Sequence, residues 1–192
     1  MSKNTKKANA AFTGLGKSKR ILLGDTLLDN YSNDEIETVV AHELGHYKKK
    51  HIIKNLLIGT VTSFGTLFLI AYLYELSLGW FGFSSILDIA ALPILSVWAM
   101  LIGLIETPLT NILSRKYEYE ADEYAVSATG KPSAFISTLN KLTDQNLGDK
   151  NPHPFVEWFF YSHPSVDNRI NAIRNYAAHS GIKENDLSFG ET

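Results

Sequence analysis

The chain has 192 residues, enough for one domain with a real core, and a formal net charge of −2. That balance offers no electrostatic footprint for nucleic acid, which is excluded as an expected partner. Cysteine is absent, so there is no disulfide framework and no thiol nucleophile, and a metal would have to be held by His, Asp or Glu.

In chain order, the first eight residues are basic and polar, and residues 1 to 20 are Lys-rich and lack the apolar core expected of a signal peptide. Two short apolar runs around Gly16-Lys17-Ser18-Lys19 predict a β-hairpin over 9–28, and Gly14 within it marks a place where another backbone can come close. Ser32 with Glu35 three residues later is a capping-box signature. It predicts a helix over 32–54 that runs through His42-Glu43-Leu44-Gly45-His46 into the apolar segment beyond.

The mean hydropathy near zero conceals two concentrated apolar runs. No residue between Lys54 and Glu75 is charged, nor any between Asp88 and Glu106. A bilayer span needs roughly 20 apolar residues, with a lower limit near 17, so 55–74 and 89–105 are both expected to cross a membrane. Lys48, Lys49, Lys50 and Lys54 precede the first run, and Arg115 and Lys116 follow the second. The connector holds Trp80, Phe81 and Phe83 but no Lys or Arg. By the positive-inside rule the outer ends face the cytoplasm and the aromatic connector lies at the opposite interface. After the second run the helix is expected to continue over 108–128 and to stop near Gly130-Lys131-Pro132. A helical carboxy-terminal part over 131–178 completes a single domain.

The chemistry concentrates on the pentad. His42 and His46 are four apart on a helix, so both imidazoles project from one face and can chelate one cation. Glu43 is placed to reach a water on that cation, and zinc suits imidazole and carboxylate ligands. His51, five residues past His46, is rotated off that face and reads as an interfacial residue and not a ligand. A third ligand is sought in Tyr117-Glu118-Tyr119-Glu120-Ala121-Asp122. Glu118 and Asp122 share a face with the small Ala121 and Ala125, which permit close helix approach. Glu118 is therefore assigned as ligand, and Asp122 as an acceptor that fixes an imidazole N–H. Glu120, turned about 200° from Glu118 in an ideal helix, should face elsewhere.

The pentad, the Glu118-to-Asp122 element and Ser162-His163-Pro164 followed by Arg169 together resemble the type I CAAX prenyl endopeptidases, integral-membrane zinc metalloproteases related to the HtpX quality-control proteases. The resemblance runs from about Asn9 to about Tyr176. It implies a mainly α fold, with a zincin-like metallopeptidase core, a small β-hairpin and a two-helix transmembrane hairpin. It also implies His42, His46 and Glu118 as zinc ligands and Glu43 as general base. His163 would be an oxyanion-stabilising group, and Arg169 a contact to the ligands or the substrate. His153-Pro154 lacks an Arg at the matching spacing, and His153 reads as a loop residue. The strand carrying Asn9, Phe12, Thr13 and Gly14 would offer its edge to an extended peptide or protein substrate, prenylated in one branch of the family and a membrane protein in the other. Members of the family carry further membrane helices ahead of the segment matching residue 9, so the chain resembles their carboxy-terminal catalytic part. Activity without those helices is left open between a working protease and a zinc-binding fragment.

Overall fold

In a computed structural model, which describes residues 10–13, 20–146 and 148–183, the first elements are two short strands, β1 (Ala10–Thr13) and β2 (Arg20–Leu23). They pair antiparallel, with Phe12 opposite Ile21 and Thr13 opposite Arg20. The expected hairpin is therefore shorter than 9–28. Its last part is a helix, α1 (Asp25–Asn30), because Thr26 and Leu27 turn inward and bury against the next helix with Tyr31 and Val39. Asn9 and Gly14 lie outside the described residues.

The next helix, α2 (Asn33–Lys48), opens on the predicted capping box. Glu35 N–H donates to Ser32 Oγ, and Ser32 N–H donates to the Glu35 carboxylate at 2.8 Å. The helix does not run on into the apolar segment. It ends at Lys48, Lys50 takes a left-handed conformation at φ 60°, and α3 (His51–Ser77) starts afresh. A side chain at positive φ is strained unless its surroundings hold it, so the expected continuous helix over 32–54 is replaced by a helix, a sharp turn and a second helix.

The helix α3 and its partner α4 (Leu92–Thr129) form the hairpin. The connector folds as two short 3₁₀ turns, Leu78–Phe81 and Ile89–Ala91. Tyr74, Leu78 and Ala91 pack at the tip, and Trp98 Nε1–H donates to Ser77 Oγ at 3.0 Å. Leu56, Phe64, Leu67, Phe68, Leu104 and Ile105 stand exposed along the hairpin. Two helical stretches, 51–81 and 89–129, are long and apolar enough to cross a membrane, with mean hydropathies of 1.9 and 2.1, and their apolar windows are almost entirely unburied. Core helices of a water-soluble protein would be covered, so this apolar surface is suited to lipid. A proline inside α4, Pro108, removes one backbone donor without ending the helix. The second span and the helix bearing Glu118 are thus one rod of 38 residues.

Beyond the hairpin, α4 stops at Gly130, whose φ of 65° and N–H bond to Val126 O form a left-handed cap. Three further helices follow: α5 (Pro132–Gln145), α6 (Pro154–Phe160) and α7 (Val166–His179). Ala41 of α2, Ala125 and Val126 of α4, Phe135, Ile136 and Leu139 of α5, and Ile170, Ile173 and Ala177 of α7 make the main core. This core locks the carboxy-terminal helices against the two that carry the site.

Candidate metal centre

The close approach of α2 and α4 determines the geometry. A Cβ built on Gly45 would lie 3.1 Å from both Cα and O of Ala121, so glycine at this position lets the helix carrying the histidines lie directly on the one carrying Glu118. The small residues Ala121 and Ala125 are fully buried at this crossing. As a result His42 Nε2 lies 3.2 Å from His46 Nε2 and 3.6 Å from Glu118 Oε2, and His46 Nε2 lies 3.3 Å from Glu118 Oε1. Zinc bonds of 2.0–2.1 Å in a tetrahedral array would set ligand atoms roughly 3.3–3.4 Å apart. The three side chains fit one cation, as two neutral nitrogens and a carboxylate would require, and they are the one group of this kind among the described residues.

Glu118 and Asp122 point to the same side of α4, as their spacing predicts. Asp122 is 1% exposed and its Oδ1 lies 2.8 Å from His42 Nδ1. That contact is short but poorly aligned, since Nδ1 makes no well-formed hydrogen bond in this ring orientation. Arg169 of α7 donates to Asp122 through Nε at 2.8 Å and Nη2 at 2.6 Å, and its Nη1 lies 3.7 Å from Glu118 Oε2. Arg169 therefore acts on the acidic pair from behind, with two of its five N–H donors bound to Asp122.

Burial alone would raise both carboxyls and lower His42, yet the charges outweigh it. Arg169 and His42 hold Asp122 below the usual range, and His42, His46 and Arg169 hold Glu118 well below it. The His42 imidazole, facing Asp122 and Glu118, is pushed up to about 9 despite burial. Both carboxyls are thereby held in their ionised form beside the two histidines.

His42, Glu43, His46, Glu118, His163 and Arg169 all line one cleft of about 630 Å³, whose apolar side includes Leu27, Val39, Phe135, Leu139 and Leu142. His163 is exposed in the loop before α7. Arg115 Nη1 donates to the carbonyls of Glu157 and Trp158 in α6 and of Tyr161 at the start of that loop. His153 caps α6 by accepting from Phe155 N–H. Phe12 and Thr13 sit on β1, which pairs with β2 along one edge only among the described residues.

His51 departs from its expected interfacial place. It is 2% exposed, with Nδ1 3.0 Å from His46 Nδ1 and Nε2 3.0 Å from Glu120 Oε2. Glu120 does face away from Glu118, and what it faces is this ring. The sequence signal was weak, because the approach depends on the positive φ of Lys50.

A profile of peptidase family M48 matches residues 1–177. The chain is 34% identical over 174 residues to the uncharacterized metalloprotease YhfN of Bacillus subtilis, covering 88% of this chain and 41% of that protein. It is 34% identical to CAAX prenyl protease 1 of Saccharomyces cerevisiae, covering 90% of this chain and 42% of that protein. The human CAAX prenyl protease 1 homolog is 31% identical, with 93% and 46% covered. A crystal structure of Ste24p from S. mikatae superposes with a TM-score of 0.74 at 31% identity, covering 90% of this chain and 43% of that one. The chain spans less than half the length of the relatives it matches. With the match extending over nine-tenths of the sequence and a histidine–histidine–carboxylate cluster built for one cation, this chain belongs to peptidase family M48, a family of metallopeptidases.

Proposed function

We propose that this chain is the catalytic part of a membrane-embedded zinc metalloendopeptidase of the CAAX prenyl protease type. In this reading His42, His46 and Glu118 hold zinc and Glu43 is the general base. The observation that carries it is the ligand cluster, in which the two Nε2 atoms lie 3.2 Å apart and the two Glu118 oxygens lie 3.3 Å from His46 and 3.6 Å from His42, opening on the cleft that Glu43 also lines. Zinc bound there supplies a Lewis acid that makes water nucleophilic near neutral pH and polarises a peptide carbonyl.

Glu43 takes the proton from the attacking water and delivers it to the leaving amine nitrogen. From the loop that lines the cleft, His163 offers an N–H to the carbonyl oxygen as negative charge builds on it. Asp122 faces His42 Nδ1 and so leaves Nε2 as the coordinating atom, while Arg169 holds Asp122 in place. The role of Arg169 is therefore positioning, since its guanidinium is already paired. The edge of β1, with Phe12 and Thr13, would receive an extended peptide by strand addition, and Asn9 and Gly14 flank that strand in the sequence.

The substrate is a peptide or protein, and a carboxy-terminal prenylated peptide is favoured by the CAAX prenyl protease relatives. A membrane-protein quality-control role of the HtpX type is the second reading, favoured by the exposed apolar flanks of α3 and α4. Lys48, Lys49, Lys50, Lys54, Arg115 and Lys116 gather at one end of the hairpin, which supports a site on the cytoplasmic side of the membrane.

The test compares the full chain with Glu43→Gln in detergent. Each is loaded with zinc and given an unstructured protein and a prenylated peptide. Wild type is expected to bind one zinc and cleave, and Glu43→Gln to bind one zinc and lose about 10²–10⁴-fold in rate. Stoichiometric zinc without Glu43-dependent cleavage would reduce the chain to a zinc-binding fragment that needs a partner segment.

A further inference from the structure

Each ligand histidine has a second ring nitrogen, and the two are handled differently. His42 Nδ1 faces Asp122 directly. His46 Nδ1 has no carboxylate beside it and faces His51 Nδ1 at 3.0 Å. His51 is nearly fully buried, it begins a helix that carries no charge between Lys54 and Glu75, and no step of the proposed hydrolysis uses it. A buried imidazole in such a place needs an account.

The backbone supplies the first part. In a continuous helix, a residue five places on lies about 140° round the axis from its predecessor, so His51 could not meet His46. The chain instead turns at Lys50, the one non-glycine residue with positive φ among those described. This turn folds the His51 ring back beneath His46, with ring centroids 5.1 Å apart. Strain of this kind persists only where surrounding contacts impose it. Here they do: His51 stacks on Tyr117 at 4.2 Å with an interplanar angle of 12°, and its Nε2 lies 3.0 Å from Glu120 Oε2.

Proton placement then has one consistent solution. If His46 coordinates through Nε2, the atom that faces His42 and Glu118, its proton sits on Nδ1 and must be donated. His51 Nδ1 is then the acceptor, and the His51 proton sits on Nε2 and is donated to the Glu120 carboxylate. Every donor in the line meets an acceptor, and the line ends on a negative charge.

We propose that His51 and Glu120 form a positioning chain for the metal ligand His46, fixing its tautomer and ring orientation through the Nδ1–Nδ1 hydrogen bond, the counterpart of the Asp122 carboxylate that faces His42 Nδ1. The proposal rests on His42, His46 and Glu118 being the ligands. Carboxylates that reach a ligand histidine typically change metal affinity by about 10–100-fold, and here the carboxylate acts through a second imidazole.

Zinc affinity of the full chain in detergent, measured against a competing chelator, tests it without reference to activity. His51→Phe keeps a ring against Tyr117 but cannot accept a hydrogen bond, and it is expected to weaken zinc binding by about 10–100-fold. His51→Asn carries an amide oxygen near the Nδ1 position and is expected to recover most of that loss. Glu120→Ala, a partly exposed position whose replacement does not endanger folding, is expected to shift affinity in the same direction. The double variant His51→Phe with Glu120→Ala should be no weaker than His51→Phe alone, because both changes break one line. Affinities of His51→Phe and Glu120→Ala both within twofold of wild type would overturn the proposal, as would additive losses or equal losses in His51→Phe and His51→Asn. Failure of wild type to take up zinc would instead overturn the ligand set itself, and the proposal with it.

Discussion

Arg169 of α7 grips Asp122 of α4 through two charge-assisted hydrogen bonds, at 2.8 and 2.6 Å, and the Asp122 oxygen it shares stands 2.8 Å from His42. The carboxy-terminal helix therefore reaches the metal centre through one buried carboxylate. Removing one partner of a buried pair leaves the other charged and uncompensated, at a cost of about 3–5 kcal/mol. Arg169→Ala is expected to lower the thermal unfolding temperature in detergent markedly. Arg169→Lys keeps the charge but not the two-pronged geometry and should fall between the two. Asp122→Asn should weaken zinc by about 10–100-fold, read by chelator competition. Wild-type zinc affinity in Asp122→Asn would remove Asp122 from the site.

Gly45 offers a test in which two effects oppose each other. In an exposed helix, alanine is favoured over glycine by about 1 kcal/mol, so Gly45→Ala would ordinarily stabilise α2. Here the new methyl meets the backbone of Ala121 at 3.1 Å, and backbone cannot move aside as a flexible side chain can. The helices must separate by some tenths of an ångström, carrying Glu118 away from His42 and His46. Gly45→Ala is expected to lose zinc affinity while its unfolding temperature changes little. An affinity equal to that of wild type would show that the ligand triangle tolerates the separation.

His163 lines the same cleft as the three ligands. If it serves the carbonyl oxygen, His163→Ala should leave zinc stoichiometry unchanged and reduce kcat by about 10²–10³-fold, the usual effect of losing one such donor. A fall in zinc content with kcat per bound zinc preserved would move His163 into the metal-binding machinery.

Much of the fold and of the site was legible in the sequence wherever helical spacing alone decides the outcome. His42 with His46 and Glu118 with Asp122 share faces because four residues nearly complete a turn, and Ser32 with Glu35 announces the start of α2 through its capping chemistry. The two apolar runs were visible from length alone. The turn at Lys50 was not, because left-handed backbone is signalled by glycine or asparagine and here falls on lysine. His51 was misjudged as a consequence: its burial follows from that turn and not from its spacing. The helix α1 was hidden for a related reason, since Thr26, Leu27 and Leu28 alone do not distinguish a strand from a single buried turn of helix. The bidentate grip of Arg169 needed the packing of α7 on α4, a contact between residues 47 positions apart.

The helix bearing the pentad also carries a pH-dependent anchor. Glu35 is 4% exposed, yet it accepts from Ser32 N–H, Ser137 Oγ and Lys141 Nζ at 2.6–2.8 Å. Burial would raise its carboxyl, but Lys141, Ser137 and Ser32 together outweigh that and hold it below its ordinary value of 4.5. A depressed carboxyl contributes stability that is fully present above the unfolded-state value and is lost as pH falls through the folded one. Glu35→Gln can still reach back to Ser32 N–H, so it removes the charge and little else. With Lys141 45% exposed, the loss is discounted for solvent screening to about 1 kcal/mol at pH 7. Unfolding of zinc-free wild type and Glu35→Gln, compared at pH 7 and stepwise to pH 3, should show that gap closing below about pH 4.5. A gap that is constant with pH would mean that the carboxylate charge contributes nothing and that the hydrogen-bond geometry alone holds α2 to α5.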